Sequence, residues 1–433
     1  MRRINLLIVL FLFGEYVFCH STGTGYWKGT MSRDNSLMNV SLEFKEQNKK
    51  IAGYFSSASQ KASGIPLDSV VSSNDTLRFQ LMSDPVTYFT VSISNGKMEG
   101  SFTQEGLSRG IVSLAHAMKP AAHYDYTDTV FISGKNRIAC RVYFPKRKGK
   151  FPSVVFMHGS GAEGMYANQY LAEGLASKGI VTLIQDKQGV GKSTGNWRET
   201  NFEDLADDYV HAIKFLKSFA QVNKKQIGIY GHSQGGTLAP LVAVKSMDVS
   251  FIIAASSVGD TVYKQDLYRV ENNLTSNDFS ETEVHDAMIY YRQWLEMART
   301  GAGFENLERL NDQSKDKKWF AWVEAPPLHH WIWKYYRSTG NYNSLQYWGK
   351  ISVPVLLVYG EKDQIEDVKA YIHNIDNALT GGQKNKDVTE LLLPDAQHNL
   401  CVFPGKGGNF FWWYLSRGYE DLLAGWIKYR FTN

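Results

Sequence analysis

The sequence IGIYGHSQGGTLA at residues 227–239 decides the fold of this chain. It places a Gly-x-Ser-x-Gly pattern, centred on Ser233, between an apolar run typical of a strand and a segment that favours a helix. So tight a turn leaves no room for side chains at Gly231 and Gly235, and it holds Ser233 strained with its hydroxyl exposed. The stretch therefore predicts a nucleophilic serine at the carboxyl end of a strand in a parallel α/β sheet.

The sequence on both sides of this stretch continues the α/β pattern. Apolar runs predict strands at residues 151–157, 180–184, 226–230, 251–254 and 353–358, and amphipathic segments predict helices at 170–177, 202–219 and 237–246. Strands that alternate with helices indicate βαβ units and a mostly parallel sheet flanked by helices. We assign residues 118–433 to this catalytic domain.

The alternation stops between residues 260 and 349. Residues 281–300 read as one helix, and six of the 11 tryptophans lie between Trp294 and Trp348. This segment predicts a helical lid inserted over the edge of the sheet.

Residues 20–117 have a different period. Short segments that alternate apolar and polar residues recur about every ten residues, and Asn95-Gly96 is a strong hairpin signal. The pattern predicts a small all-β domain, either a barrel or a sandwich.

The first 19 residues are typical of a signal peptide. Arg2 and Arg3 precede a mostly apolar run of ten residues, too short for a bilayer span, and Val17 and Cys19 are small enough for a cleavage site. The sequence therefore predicts export to the periplasm or the medium, with no membrane span in the mature chain. A lipid anchor on Cys19 is the less favoured alternative, because Phe18 is not small.

Composition excludes several classes of protein. The chain has 433 residues, 43% hydrophobic, with a net charge of +4 and three cysteines. These values are typical of a globular protein and do not support a nucleic-acid partner or a disulfide-rich scaffold. No metal-ligand spacing is present, and we predict neither a metal nor another cofactor. Composition does not indicate whether Cys140 and Cys401 are bonded.

Two segments downstream supply partners for Ser233. A serine hydroxyl needs a base and an orienting acid, which follow the serine in the order acid, then histidine in this type of fold. Asp363 and His398 each follow an apolar strand, so their loops would lie beside Ser233. We assign Asp363 as the acid and His398 as the base. The alternatives are the acids Glu361 and Asp395 and the base His373, which the sequence places on solvated loops and a helix surface.

The oxyanion that forms on a carbonyl substrate needs amide donors. We expect one from Gln234, directly after the nucleophile, and one from Ser160 or Gly161 in the loop after the strand at residues 151–157. His158, in the same loop, is predicted to be structural.

Together these motifs resemble the α/β-hydrolase superfamily. The matching pieces lie at residues 157–161, 186–193, 231–236, 360–363 and 396–398, and pieces at 25–29 and 63–70 are similar to secreted bacterial serine esterases with a small N-terminal β domain. The resemblance implies an α/β-hydrolase fold and ester hydrolysis. One position departs from it: relatives commonly carry Arg where this chain has Gln188, so an anchor for a carboxylate or a loop is expected to be absent.

We therefore predict a serine carboxylic-ester hydrolase that forms an acyl-enzyme on small to medium acyl esters. The aromatic lid suggests an apolar pocket, with Tyr290, Trp294, Trp331 and Trp333 as candidate lining residues. The alternatives are a prolyl-oligopeptidase-like exopeptidase, a thioesterase or acyltransferase, and a binding protein on an inactive scaffold. Such a peptidase needs a device that holds the peptide amine, often paired acids, and the sequence shows no clear pair.

Overall fold

Nine antiparallel strands form the first sheet in this computed structural model, which describes residues 23–404, 410 and 412–431. They are β1 (Gly25–Arg33), β2 (Ser36–Gln47), β3 (Lys50–Ser57), β4 (Ala62–Pro66), β5 (Asp68–Ser73), β6 (Thr76–Leu81), β7 (Thr87–Ser94), β8 (Lys97–Thr103) and β9 (Gly110–Ala117). Alternate residues of β7 are buried, as the period of two requires. The predicted turn at Asn95-Gly96 joins β7 and β8, where Ser94 pairs with Lys97.

This sheet is rolled into a nearly closed barrel. Strands β4 and β5 lie at opposite edges of the sheet, yet only Leu67 separates them along the chain. The two edges must therefore come together, and the amide of Leu67 donates a 2.8 Å hydrogen bond to the carbonyl of Gly53 in β3. Of the two predicted architectures, the barrel is the one observed. The predicted signal peptide, residues 1–19, and Cys19 lie outside the described residues.

The second sheet has eight strands in the described part of the chain. They are β10 (Tyr124–Ser133), β11 (Asn136–Pro145), β12 (Phe151–Met157), β13 (Val181–Gln185), β14 (Val222–His232), β15 (Val249–Ala255), β16 (Val355–Gly360) and β17 (Val388–Leu393), in the order β10-β11-β13-β12-β14-β15-β16-β17. From β13 to β17 neighbouring strands are parallel, whereas β10 and β11 are antiparallel. All seven residues of β12 are buried, because helices cover both faces of the sheet. The predicted α/β-hydrolase fold is confirmed.

Helices flank this sheet and form the lid. They are α1 (Tyr166–Ser177), α2 (Phe202–Leu216), α3 (Gln234–Lys245), α4 (Val262–Ser276), α5 (Glu281–Thr300), α6 (Phe304–Ser314), α7 (Phe320–Val323), α8 (Ile332–Thr339), α9 (Leu345–Trp348), α10 (Val368–Gly381) and α11 (Tyr419–Phe431). Helices α4 to α9 form the insertion between β15 and β16, and α5 begins with a capping box between Ser280 and Glu283. Among the described helices, none has the length and apolar character to cross a membrane.

The two cysteines of the described chain are free and buried, and they lie in different parts of the core. Cys140 packs in the cluster that includes α2, α3 and the lid, whereas Cys401 packs in the cluster that includes α1 and α11. Burial raises the pKa of the Cys140 thiol to about 12 and that of Cys401 to about 11. Both thiols therefore act as small apolar side chains that fill the core.

The barrel contacts the loop that follows β17. Lys61 donates a 3.1 Å hydrogen bond from Nζ to the carbonyl of Asn399, and the amide of Leu415 donates a 2.7 Å hydrogen bond to the carbonyl of Ser59. Leu415 belongs to β19 (Tyr414–Leu415), which pairs with β18 (Cys401–Val402). The barrel thus braces the segment that carries His398.

Candidate active site

The nucleophile turn has the strained geometry that its sequence predicts. Ser233 lies between β14 and α3 with φ 54° and ψ −117°, a conformation that side chains rarely adopt. A Cβ atom at Gly231 would lie 2.2 Å from the carbonyl carbon of Gly235, and one at Gly235 would lie 2.8 Å from the carbonyl oxygen of His158. Glycine is therefore required at both positions, and the turn directs the Ser233 hydroxyl away from the sheet.

The structure brings Ser233, His398 and Asp363 together at the carboxyl ends of β14, β17 and β16. The Ser233 hydroxyl lies 3.0 Å from Nε2 of His398, and Nδ1 of His398 lies 2.9 Å from Oδ2 of Asp363. These contacts fit a neutral imidazole that carries its proton on Nδ1, donates to Asp363 and accepts from Ser233.

Backbone contacts hold the acid and the base in place. The other carboxylate oxygen of Asp363 accepts hydrogen bonds from the amides of Ile365, at 2.9 Å, and Glu366, at 3.1 Å. The carbonyl of His398 accepts from Ser256 Oγ at 2.8 Å and from His232 Nε2 at 2.9 Å. With both loops fixed, the imidazole keeps one orientation towards Ser233.

The predicted oxyanion donors lie next to this hydroxyl. Ser160, Gly161 and Gln234 line the same cavity as Ser233 and His398. No hydrogen bond among the described residues occupies the amide of Ser160 or of Gln234, whereas the amide of Gly159 donates to Glu163 Oε2 at 2.8 Å. The amides of Ser160 and Gln234 are therefore the ones available to an incoming oxyanion.

His158 has the structural environment expected from its place in the loop. Its Nε2 donates to the carbonyl of Gln185 at 2.6 Å, and its Nδ1 lies 3.0 Å from the hydroxyl of Tyr209. Burial, with Lys187 nearby, lowers the pKa of His158 to about 3. The ring is therefore neutral and has no free nitrogen for proton transfer to a substrate.

A cavity of about 490 Å³ opens above Ser233 between the sheet and the lid. Trp331 lies on its wall, together with Trp197, Phe202, Val262, Ile332 and Tyr335. The wall is mostly apolar, and its charged members are Glu163, Lys187, Asp266 and Arg269. The two charged residues that the lid contributes, Asp266 and Arg269, form an ion pair. Nε of Arg269 donates to Oδ1 of Asp266 at a distance of 2.7 Å.

The prediction for the lid aromatics is wrong at three of four positions. Tyr290, Trp294 and Trp333 do not line the cavity but pack inside the lid, where the Trp294 and Trp333 rings are 5.6 Å apart. Their polar atoms bond within the lid as well: Trp294 Nε1 donates to the carbonyl of Val323 at 3.0 Å. A helical segment with this many aromatic residues needs most of them for its own core, which leaves Trp331 on the cavity wall.

Gln188, at the position where relatives commonly carry arginine, contacts a buried carboxylate. Its Nε2 donates a 2.7 Å hydrogen bond to the buried carboxylate of Asp208, and its Oε1 accepts from Thr200 at 3.1 Å. At the position where relatives commonly carry Arg, a neutral amide thus contacts a buried carboxylate. Burial raises the pKa of Asp208, and the hydrogen bonds that Asp208 accepts lower it by a smaller amount. Gln188 adds no positive charge that would lower this pKa further.

The structure adds two charged residues that the sequence analysis missed. Lys187 is buried under the oxyanion loop, and Glu366 is fully buried with its Oε1 4.0 Å from Nδ1 of His398. Burial, together with the neighbouring Asp363, raises the pKa of Glu366 well above its usual value. The only sequence signal for either was position: Lys187 follows a buried strand, and Glu366 lies three residues after Asp363. Among the described residues, no group of His, Cys, Asp or Glu could hold a metal ion.

The chain is similar in sequence or in fold to several known proteins. Esterase EstD of Thermotoga maritima is 24% identical over 353 residues, which are 77% of this chain and 76% of that protein. Thiohydrolase aneE of Aspergillus aculeatus is 26% identical over 144 residues, 33% of this chain and 45% of that protein. A solved esterase of Pyrococcus furiosus matches with a TM-score of 0.45 and 16% identity, over 71% of this chain and 89% of that chain.

A family model described as serine aminopeptidase S33 (Hydrolase_4) matches residues 150–402. That range includes the nucleophile turn, the lid, Asp363 and His398. The matched residues make up more than half of the chain, and the chain therefore belongs to the serine aminopeptidase S33 family of hydrolases.

Proposed function

We propose that this protein hydrolyses carboxylic esters of small to medium acyl groups through an acyl-enzyme on Ser233. The observation that carries the proposal is the chain of contacts from Asp363 through His398 to Ser233, with distances of 2.9 Å and 3.0 Å, on the floor of an apolar cavity. A relative that covers most of the chain bears the name esterase, which also supports it.

The residues of the site provide a proton donor and a proton acceptor for each step of ester hydrolysis. The Ser233 oxygen bonds to the ester carbonyl carbon while its proton passes to Nε2 of His398, and the carbonyl oxygen becomes an oxyanion facing the amides of Ser160 and Gln234. The C–O bond to the alcohol then breaks, and the alcohol leaves with the proton from His398. Water repeats the sequence on the acyl-enzyme and releases the carboxylic acid. Asp363 stays ionised and stabilises the imidazolium.

Two other reactions are candidates because of the comparisons. The family description names an aminopeptidase, and one relative bears the name thiohydrolase. An aminopeptidase must hold a substrate ammonium, yet both acids on the cavity wall already have partners. Asp266 accepts from Arg269 and from Tyr291 at 2.5 Å, and Glu163 accepts from the amide of Gly159. Asp266 is therefore not available to an ammonium, which favours the ester over the peptide, and Glu163 offers a peptide substrate only its Oε1.

A substrate panel tests the proposal. Purified protein is assayed with p-nitrophenyl esters of increasing acyl length, with acyl thioesters and with aminoacyl p-nitroanilides. We expect kcat/KM to be highest for an ester of short or medium chain. Faster turnover of an anilide or a thioester would replace the esterase proposal with the corresponding alternative.

Trp331 should limit the length of the acyl group. Its ring lies on the cavity wall, 5.0 Å from that of Trp197, so Trp331→Ala enlarges the cavity. We expect kcat/KM to rise for long acyl chains and to fall about tenfold for short ones, since burial of one large side chain is worth roughly 1.5–3 kcal/mol. The matched control is Trp322→Ala, because Trp322 is 46% exposed in the same lid and away from the cavity. Equal chain-length profiles for the two variants would contradict this role.

We also propose that the protein is exported. The support is the pattern of residues 1–19, with two arginines followed by an apolar run. Mass spectrometry of the protein recovered from the periplasm or the medium should find an N-terminus near residue 20. A lipidated Cys19 would instead appear as a mass increase with the protein in the membrane fraction, and a full-length cytoplasmic protein would contradict the proposal.

A further inference from the structure

Lys187 is a buried lysine whose ammonium group contacts the oxyanion loop. It follows β13, and its side chain is only 3% exposed. Its Nζ donates to the carbonyl of Gly159 at 2.6 Å, to the carbonyl of Gly161 at 2.9 Å and to Oε1 of Gln234 at 3.3 Å. An ammonium has three N–H donors, so this set of acceptors uses all of them.

One of these acceptors belongs to the peptide that carries an oxyanion donor. The carbonyl of Gly159 and the amide of Ser160 form a single planar peptide group, in which C=O and N–H point in opposite directions. The bond from Lys187 to that carbonyl therefore fixes the direction of the Ser160 N–H. A cation on the carbonyl also polarises the peptide and makes its N–H a stronger donor.

The other contacts fix the surroundings of this peptide. The amide of Gly159 is held by Glu163, and the carbonyl of Gly161 is held by Lys187, so the loop is restrained on both sides of Ser160. The bond to Gln234 connects the loop to the residue that carries the second predicted donor. The two donors are thus tied to one another through a single side chain.

We propose that the Lys187 ammonium is the positioning group of the oxyanion hole, which aligns and strengthens the Ser160 amide and holds it in register with Gln234. The inference rests on the proposed acyl-transfer function. Lys187 acts through the loop carbonyls rather than on the substrate, so its effect belongs to the step in which negative charge develops on the substrate oxygen.

The charge on Lys187 gives the proposal a pH dependence. Burial lowers the pKa of Lys187 to about 8, against the opposing effect of Glu163. The other groups that face it are the neutral His158 and the ring of Trp197, 5.9 Å from Nζ, while His398 lines the same cavity. Above this pKa the amine has two N–H donors for three acceptors and no charge. We therefore expect kcat to fall as the pH rises through about 8.

Three variants test the proposal on an ester substrate. We expect Lys187→Met to lower kcat by roughly 10²–10³-fold, the effect of losing one oxyanion donor, with little change in KM. Lys187→Arg keeps the charge and should recover at least about tenfold of that loss, with kcat constant up to about pH 9.5, because arginine stays protonated. Lys192→Met is the matched control, since Lys192 is an exposed lysine of the same loop.

The rate of labelling by a fluorophosphonate separates this inference from the proposed function. The probe reacts with an activated serine and develops charge on its oxygen, so Lys187→Met should label more slowly even if the natural substrate is not an ester. Wild-type protein that labels but does not cleave esters would contradict only the esterase proposal.

Full kcat and full labelling rate in a folded Lys187→Met would overturn the role of Lys187. If neither variant at this position folds, the wild-type profile decides: a fall in kcat at alkaline pH, at or below the ordinary lysine pKa of about 10.4, supports the proposal, and kcat that stays constant through that pH overturns it.

Discussion

The substitution Ser233→Ala is expected to lower kcat by about 10⁶-fold on the best ester of the panel, the cost of removing the nucleophile from a serine hydrolase. The Ser233 oxygen is the atom that forms the covalent bond, and His398 has no other hydroxyl among its described contacts through Nε2. The variant should also lose all labelling by a fluorophosphonate probe. Steady-state kinetics and intact-protein mass spectrometry measure the two effects.

Folding should be preserved in this variant. The hydrogen bond to His398 is the contact that the Ser233 side chain loses, so the free energy of unfolding should change by no more than about 1 kcal/mol. Ser218→Ala is the control for loss of a serine hydroxyl, because Ser218 is exposed and donates to the carbonyl of Phe215 in a surface turn. Labelling or hydrolysis in Ser233→Ala at more than about 1% of the wild-type level would indicate another nucleophile.

The features that the sequence predicted well are those that local physics determines. The nucleophile turn needs glycine at two positions, and the structure shows close backbone contacts at both, Gly231 and Gly235. The hairpin at Asn95-Gly96 and the helix α5 likewise depend on residues close together along the chain. Asp363 and His398 could be assigned as acid and base because parallel strands place their loops at one edge of the sheet.

The features that the sequence did not predict depend on packing between distant segments. Nothing in the sequence distinguishes Trp331, on the cavity wall, from Trp294, in the core of the lid. Lys187 and Glu366 are charged types that are rarely buried, so their residue type argued against the positions they occupy. Closure of the barrel through Leu67 is also a tertiary fact, which is why the sequence left barrel and sandwich open.

The second large effect is expected from Asp363→Asn, with kcat lower by about 10⁴-fold. An asparagine of the same shape carries no charge to stabilise the imidazolium, and it can donate to Nδ1 and so favour the wrong tautomer. The amides of Ile365 and Glu366 can still bond its Oδ1, so the loop should keep its conformation. The pre-steady-state rate of acylation measures the effect. Glu361→Gln and Asp395→Asn are the matched controls, and a larger loss in either would identify another acid.

Besides Asp363, Glu366 is the one buried acid near His398 among the described residues, and its geometry argues that it does not compensate for the loss of Asp363. Its Oε1 lies 4.0 Å from Nδ1 of His398, beyond hydrogen-bond distance, and burial together with the neighbouring Asp363 raises its pKa well above the usual value, which favours the neutral acid. We therefore expect Asp363→Asn/Glu366→Gln to be no less active than Asp363→Asn alone. A further loss of tenfold or more in the double variant would show that Glu366 acts as a substitute acid, since about 1.4 kcal/mol would then be coupled between the two sites.

Glu366→Gln alone should leave kcat close to the wild-type value and change stability with pH. Because the folded-state pKa of Glu366 is raised, folding retains a proton that the unfolded chain releases above about pH 4.3, so the wild type loses stability as the pH rises. Glutamine has the shape of the neutral acid and keeps the acceptor for Gln265. Urea unfolding should therefore show the variant equal to the wild type near pH 4 and more stable at pH 8. A difference that is constant with pH would mean that Glu366 is ionised in the folded protein, where it could compete with Asp363 for the imidazolium.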